Sequence, residues 1–377
     1  MIRRRDFLAG LAGGASAAAV GCVAHKPPAG AIPAVPYRQR FAPVFVSDDR
    51  VTRTVAGLRP FRPSGFVVRA EKAGAKVIVH NYGHGGDGMT LSWGTSFMAV
   101  ELAQVTGESN AAVIGCGGVG LATARLLQRR GRTVTIYAKD LPPETTSNIA
   151  GAQWLPVSVF EQDRATAEFN EQFIRAARIS NRYFQTMLGD YYGVRWLPNY
   201  LLSDEPVADN RLIGSNSPLR DLFPELHDLA RGEHPFASTY VRQFDTMMIE
   251  PPVYLNAVLR DFFLAGGRVV VREFRSLEEV IALPEAVVIN CTGLGARALF
   301  GDEQLTPVKG QLTVLLPQPE VEYAVIKEQL YMFPRRDGIL LGGTHENGEW
   351  SLEPNLEAKK QVMEGHRQLF GSMRAVS

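Results

Sequence analysis

Residues 110–148, NAAVIGCGGVGLATARLLQRRGRTVTIYAKDLPPETTSN, decide how this chain is read. Ala112, Val113 and Ile114 form a short apolar run, and Gly115-Cys116-Gly117-Gly118-Val119-Gly120 follows as G-x-G-x-x-G. Residues 121–130 carry apolar side chains at helical spacing and end in arginines, Gly131 stops the helix, and residues 133–137 alternate as a second strand. Glycines at these positions permit a tight turn, close approach of backbone to a pyrophosphate, and close helix–strand packing, with the helix N-terminus facing the anion. The motif alone is weak. Set between a strand and a helix in a βαβ pattern, it predicts a dinucleotide site and an α/β fold of Rossmann type.

The chain has 377 residues, a formal net charge of +1 and 45% hydrophobic residues, enough for about two domains. Near-zero charge gives no reason to expect nucleic acid. Three cysteines make no disulfide framework, and zinc-type Cys/His spacing is absent. Arg4-Arg5-Asp6-Phe7-Leu8 resembles the core of a twin-arginine export signal, followed by an Ala/Gly-rich run too short for a comfortable membrane span. Ala19-Val20-Gly21-Cys22 resembles a lipobox, with Ala19 where Leu is commoner; a lipid anchor at Cys22 and an incidental cysteine both stand. Residues 1–22 are thus expected to be a signal and 23–50, rich in Pro and Ala, a tether.

Two strands are expected at 66–69 and 76–80, preceded by Arg59 and Arg62 on a proline-stiffened segment. Such arginines suit a bidentate grip on a carboxylate, though from residue type alone a pair like this is more often solvated at the surface. Four glycines between Gly83 and Gly88 suggest backbone pressed against a ligand, and 90–102 reads as a helix with Trp93, Phe97 and Val100 inward. His84 could serve as a base, though a lone loop histidine is more often structural. Thr145, Thr146 and Ser147 could meet phosphates or cap a helix. One long helix is expected over 161–188, irregular strand-like chain over 194–244, a helix over 252–266, and a buried strand over 286–295 ending in a glycine turn. A final helix is expected over 357–369, and Tyr331 taken alone reads as a core or interface aromatic.

Together the pieces IGCGGVGLATA, AKDLPPETTSNIAGAQW, VVINCTGLGAR, KGQL, YMFP, LLGGTHENGEW, AGLRPFRP and HNYGHGGDGMTLSWG resemble the D-amino-acid oxidase family of FAD-dependent amine oxidoreductases. The resemblance spans residues 52 to about 369. In the ordinary family the glycine turn opens the chain and the GLRPxRP and HNYGHGG pieces close it; here those two come first, joined by residues 106–110. The order resembles a circular permutation, with new ends near Asp49 and Arg374. The implied fold is a Rossmann-type FAD-binding domain (76–160 and 260–305) with a parallel central sheet. A mixed-sheet α+β substrate domain (51–75, 161–259 and 306–377) is interleaved with it.

By resemblance, Arg59 pairs with the substrate carboxylate, Tyr331 helps to hold it, and the Gly86 backbone lies near the substrate amino group. The pyrophosphate falls to Gly115, Gly117, Gly118, Val119 and Gly120, with Thr145, Thr146 and Ser147 as the hydroxyl cluster. Lys139 and Asp140 stand where an acidic ribose partner is expected, and Asp140 is the candidate. Gly85, Gly86, Asp87, Gly88, Met89 and Thr90 would lie at the flavin N1–C2=O edge, and Gly151, Ala152 and Gln153 along the isoalloxazine. Phe274, Cys291, Thr292 and Gly293 complete the implied FAD contacts. A second lid tyrosine has no counterpart, since Lys327 occupies its place.

The implied reaction is oxidation of a D-amino acid by hydride transfer from Cα to flavin N5, hydrolysis to a 2-oxo acid and ammonia, and reduction of O2 to H2O2. A dehydrogenase or an oxidase of D-aspartate or an N-substituted glycine, and a non-catalytic flavin-binding lipoprotein, are the competing readings. The expected partners are substrate and O2, a lipid anchor and a homodimer; the expected location is periplasmic, or anchored on the outer side of the cytoplasmic membrane.

Overall fold

In the computed structural model the described residues are 41–207 and 212–374. The expected signal, Cys22 and the tether up to residue 40 lie outside them. The elements begin with β1 (Val51–Phe61), β2 (Val67–Ala73), β3 (Lys76–Tyr82), α1 (Ser92–Gln104), β4 (Asn110–Ile114), α2 (Gly118–Arg129) and β5 (Thr133–Ala138). Then come α3 (Thr146–Ile149), α4 (Ala167–Gln185), β6 (Val194–Ser203), β7 (His227–Leu229), β8 (Tyr240–Ile249), α5 (Pro251–Leu264), β9 (Arg268–Val271) and α6 (Leu277–Ile281). The remainder is β10 (Val287–Asn290), α7 (Gly295–Phe300), β11 (Thr306–Leu315), β12 (Ala324–Lys327), β13 (Leu330–Arg335), β14 (Gly338–Gly342), β15 (Glu346–Asn347) and α8 (Leu356–Gly371).

Two sheets organise these elements. The first has the order β2-β3-β10-β4-β5-β9, parallel from β3 to β9, with β2 antiparallel at one edge. Its central strands β10, β4 and β5 are short, apolar and buried on both faces. Val113, Ile136 and Leu121 pack on the side of α1 and α2, while Ala112, Ile114 and Val288 pack against Phe274, Val280 and Leu283 on the other. The second sheet runs β1-β11-β14-β13-β12-β6-β8-β7, with β15 also on β11. It is mixed, because β12 pairs with β6 in parallel and its other pairs are antiparallel.

Several expectations need adjustment. The helix expected over 161–188 is α4 alone, opened by Thr166, whose hydroxyl accepts the Phe169 N–H; residues 162–164 form a separate 3-10 turn. Phe97 is only half-buried and lies under the Arg130 guanidinium. Val67–Ala73, expected in the substrate domain, forms β2, which pairs with β3 at the edge of the parallel sheet. Residues 41–50 do not behave as a tether. Phe41 stacks edge-on to Tyr200, Phe236 and Tyr323, and Val44 is buried.

Candidate active site

One cavity of about 1700 Å³ runs from the C-terminal ends of β4 and β5 to the face of the mixed sheet. That exceeds the few hundred to about 1000 Å³ of ordinary ligand pockets and suits an elongated dinucleotide plus a small substrate. Every site residue anticipated from sequence lines it, except Thr90. Thr90 is buried beside it, its hydroxyl donating to the Gln153 carbonyl.

The glycine turn is shaped by backbone alone. Gly115 has φ +112°, and a Cβ there would lie 2.4 Å from the Cys291 carbonyl oxygen. A Cβ on Gly120 would lie 2.0 Å from the Gly115 carbonyl oxygen, so helix α2 can start this close to β4 only with glycine. The positive end of α2 faces the cavity, where the Gly118 N–H donates to the Ser147 hydroxyl at 2.9 Å. Lys139 and Asp140 follow β5 and face each other at 3.8 Å, largely exposed. Phe274 lies under the Arg272 guanidinium at 4.6 Å. Backbone amides, a helix N-terminus, hydroxyls and bare backbone form a donor set that fits the diphosphate of FAD.

The second glycine loop meets the first. A Cβ on Gly118 would touch the Met89 sulfur at 2.6 Å. Gly86 N–H donates to the Ser158 carbonyl at 3.2 Å, and Asp87 accepts the Ser158 N–H at 2.7 Å. Gly151 abuts the Phe333 ring, Ala152 has φ +57°, and Gln153 donates to Asn199.

Arg59 and Tyr331 come together at the far end. The Arg59 Nη2 donates to the Tyr331 hydroxyl at 3.4 Å, and its Nη1 donates to His345 Nδ1 at 3.3 Å. Among the described residues Arg59 has no carboxylate partner, whereas Arg62 is paired with Asp302 at 3.0 Å. The surface reading of both arginines therefore fails. Sequence reasoning missed three residues here: Gly310, Gly342 and His345. The glycines stand in the quoted KGQL and LLGG pieces, but no local pattern announces what would cover them. Lys327, in place of a lid tyrosine, pairs with Asp204.

Other candidates resolve quietly. His84 is buried, bonds Thr95 Oγ1 at 2.9 Å and stacks on Phe66; burial lowers its pKa to about 3, which leaves it neutral and structural. Burial raises the Cys116 and Cys291 thiols to about 12, and neither forms a disulfide. Among the described residues no acidic, His or Cys cluster could hold a metal.

The chain matches the family model described as FAD dependent oxidoreductase (DAO) over residues 10–102 and 110–377. This protein belongs to that family of FAD-dependent oxidoreductases. It is 31% identical over 261 residues to a D-amino-acid oxidase of Rubrobacter xylanophilus, covering 68% of this chain and 75% of that one. It is 28% identical over 276 residues to a D-amino acid oxidase of Dugesia ryukyuensis (70% and 78% covered). Human D-aspartate oxidase is 28% identical over 262 residues (67% and 73% covered). Among solved structures, a glycine oxidase from Bacillus cereus superposes with TM-score 0.52 at 14% identity, over 71% of this chain and 81% of that one, a likeness of fold. The α/β architecture expected from the glycine turn, and the FAD implied by the resemblance, are those of the family.

Proposed function

We propose that the protein catalyses FAD-dependent oxidative deamination of D-amino acids to 2-oxo acids and ammonia, with O2 reduced to H2O2. The observation that carries this is the half-buried Arg59, with no carboxylate partner among the described residues, beside the Tyr331 hydroxyl in the cavity of an FAD-dependent family member. FAD, when bound, would supply the hydride acceptor and the redox link to O2. The chain's task is orientation: Arg59 and Tyr331 hold the carboxylate, and the Gly86 loop stands at the amino group. Gly115, Gly117, Gly118, Val119 and Gly120 would hold the pyrophosphate, with Thr145, Thr146 and Ser147 beside it. His84, neutral and packed away, is not needed as a base. Spectra of the purified holoprotein under anaerobic conditions test this reading. Bleaching by D- but not L-amino acids is expected; bleaching by neither defeats it. A panel including D-aspartate and N-substituted glycines separates the substrate alternatives, which the human relative's name keeps open.

A circular permutation belongs to the same proposal. Its supports are the family match in two segments with a break after residue 102, and the contacts that residues 42–48 make with the last described part of the chain. Arg367 pairs with Asp48 at 2.7 Å, and the Tyr323 hydroxyl lies 2.7 Å from the Ala42 carbonyl and 4.0 Å from the Met373 sulfur. The proposed location is outside the cytoplasmic membrane after twin-arginine export, either free in the periplasm or anchored by acylation at Cys22; the supports are the Arg4-Arg5-Asp6-Phe7-Leu8 and Ala19-Val20-Gly21-Cys22 patterns. Mass spectrometry of the mature N-terminus tests it.

A further inference from the structure

We propose that His345 is a positioning residue for Arg59, holding the guanidinium as an acceptor so that its fork is set for a carboxylate. The proposal rests on the reading that Arg59 receives the substrate carboxylate. Arginine is donor-only at every nitrogen, so in the contact between Arg59 Nη1 and His345 Nδ1 the imidazole must accept. That requires a neutral ring with its proton on Nε2. Partial burial and the neighbouring Arg59 charge both hold the His345 pKa below its ordinary value, in keeping with this tautomer.

The imidazole is presented from a fixed backbone. His345 follows Thr344, whose buried hydroxyl accepts the Gln311 N–H at 2.6 Å. It precedes Glu346, which pairs with Lys309 in the β11–β15 ladder. The guanidinium lies over Gly310, where a Cβ would come within 2.6 Å of Nη2. With Tyr331 on one nitrogen and His345 on the other, a long side chain with several free torsions is confined before any ligand arrives. Such ordering otherwise weakens binding when it must occur on association.

Benzoate, a simple carboxylate, is the probe, and its binding to the holoprotein is followed by perturbation of the flavin absorbance. His345→Phe is expected to raise the benzoate Kd and the KM for D-alanine about tenfold, as for loss of a hydrogen bond to a charged group. The kcat should change less than twofold and flavin content not at all. His345→Gln, which keeps an acceptor, should recover most of the affinity. Unchanged benzoate affinity in His345→Phe overturns the proposal, as does a glutamine variant as weak as the phenylalanine one, which would mean that ring bulk alone matters. Arg59→Ala separates the two readings. If native protein binds benzoate through Arg59 and His345 yet oxidises no D-amino acid, the reaction is wrong and the positioning role stands. If benzoate binding ignores Arg59, the positioning role falls.

Discussion

The Arg59 guanidinium and the Tyr331 hydroxyl meet at 3.4 Å although 272 positions separate them in the chain. Arg59 is on β1 and Tyr331 on β13, with β11 and β14 between them, a separation of about 14 Å at normal strand spacing. The gap is closed because both intervening strands carry glycine on that face. Arg59 lies over Gly310 of β11, and the Tyr331 ring lies over Gly342 of β14, its Cα partner across the ladder.

Removing the guanidinium is therefore expected to abolish substrate capture and spare the cofactor. Arg59→Ala should lose about 2–5 kcal/mol of carboxylate binding, the usual range for a charged hydrogen-bonded partner. Tyr331→Phe should lose about 1 kcal/mol, seen as a severalfold rise in KM. Steady-state kinetics with flavin content measured in parallel checks both; normal turnover of D-alanine by Arg59→Ala would sink the site assignment.

Gly342→Ala tests the glycine floor without removing a polar group. The new methyl would sit 2.0 Å from the Tyr331 ring, which must move. The variant should bind flavin but lose at least as much affinity for substrate as Tyr331→Phe. Gly371→Ala, where nothing lies within 4 Å of the added Cβ, should change stability by less than about 0.5 kcal/mol.

At the cofactor end the obstacle is backbone and cannot yield. Gly120→Ala would place Cβ 2.0 Å from the Gly115 carbonyl oxygen and push α2 away from the turn. The expected product is colourless or flavin-depleted protein, read as the ratio of visible to ultraviolet absorbance. Full flavin content would show that the turn has slack absent from the geometry.

Stability should fall below neutral pH. His84 has a folded pKa of about 3, lowered by burial from an ordinary 6.5. Between those values the unfolded chain takes up a proton that the folded chain refuses. Its contribution is complete above 6.5 and declines by about 1.4 kcal/mol per pH unit as pH drops toward 3. Burial lowers His80, His234 and His366 as well, which steepens the same slope. Urea midpoints at pH 7, 6 and 5 should decrease in order, and less steeply in His84→Asn.

Cys116 and Cys291 should resist alkylation. Burial raises both thiols to about 12, so at pH 8 the thiolate is nearly absent. Native protein treated with iodoacetamide should carry no adduct at either position by peptide mass spectrometry. Modification of Cys291 at the rate of a free thiol would show an opening of the β10 end.

The sequence by itself determined the glycine turn, the strands and helix around it, and hence the dinucleotide-binding half of the fold. Each of these rests on interactions within a few residues: apolar periodicity, glycine freedom and helix start signals. It also pointed to Arg59 and Tyr331, but only through resemblance, since neither residue carries a local signature. Tertiary structure alone decided that Arg59 lines the cavity with no carboxylate partner among the described residues while Arg62, three positions on, is paired with Asp302. It also set His345 against Arg59, made Gly310 and Gly342 their floor, and folded residues 41–50 onto the mixed sheet. Those outcomes depend on side chains hundreds of positions apart sharing one sheet face. Strand order fixes that, and no local pattern encodes it.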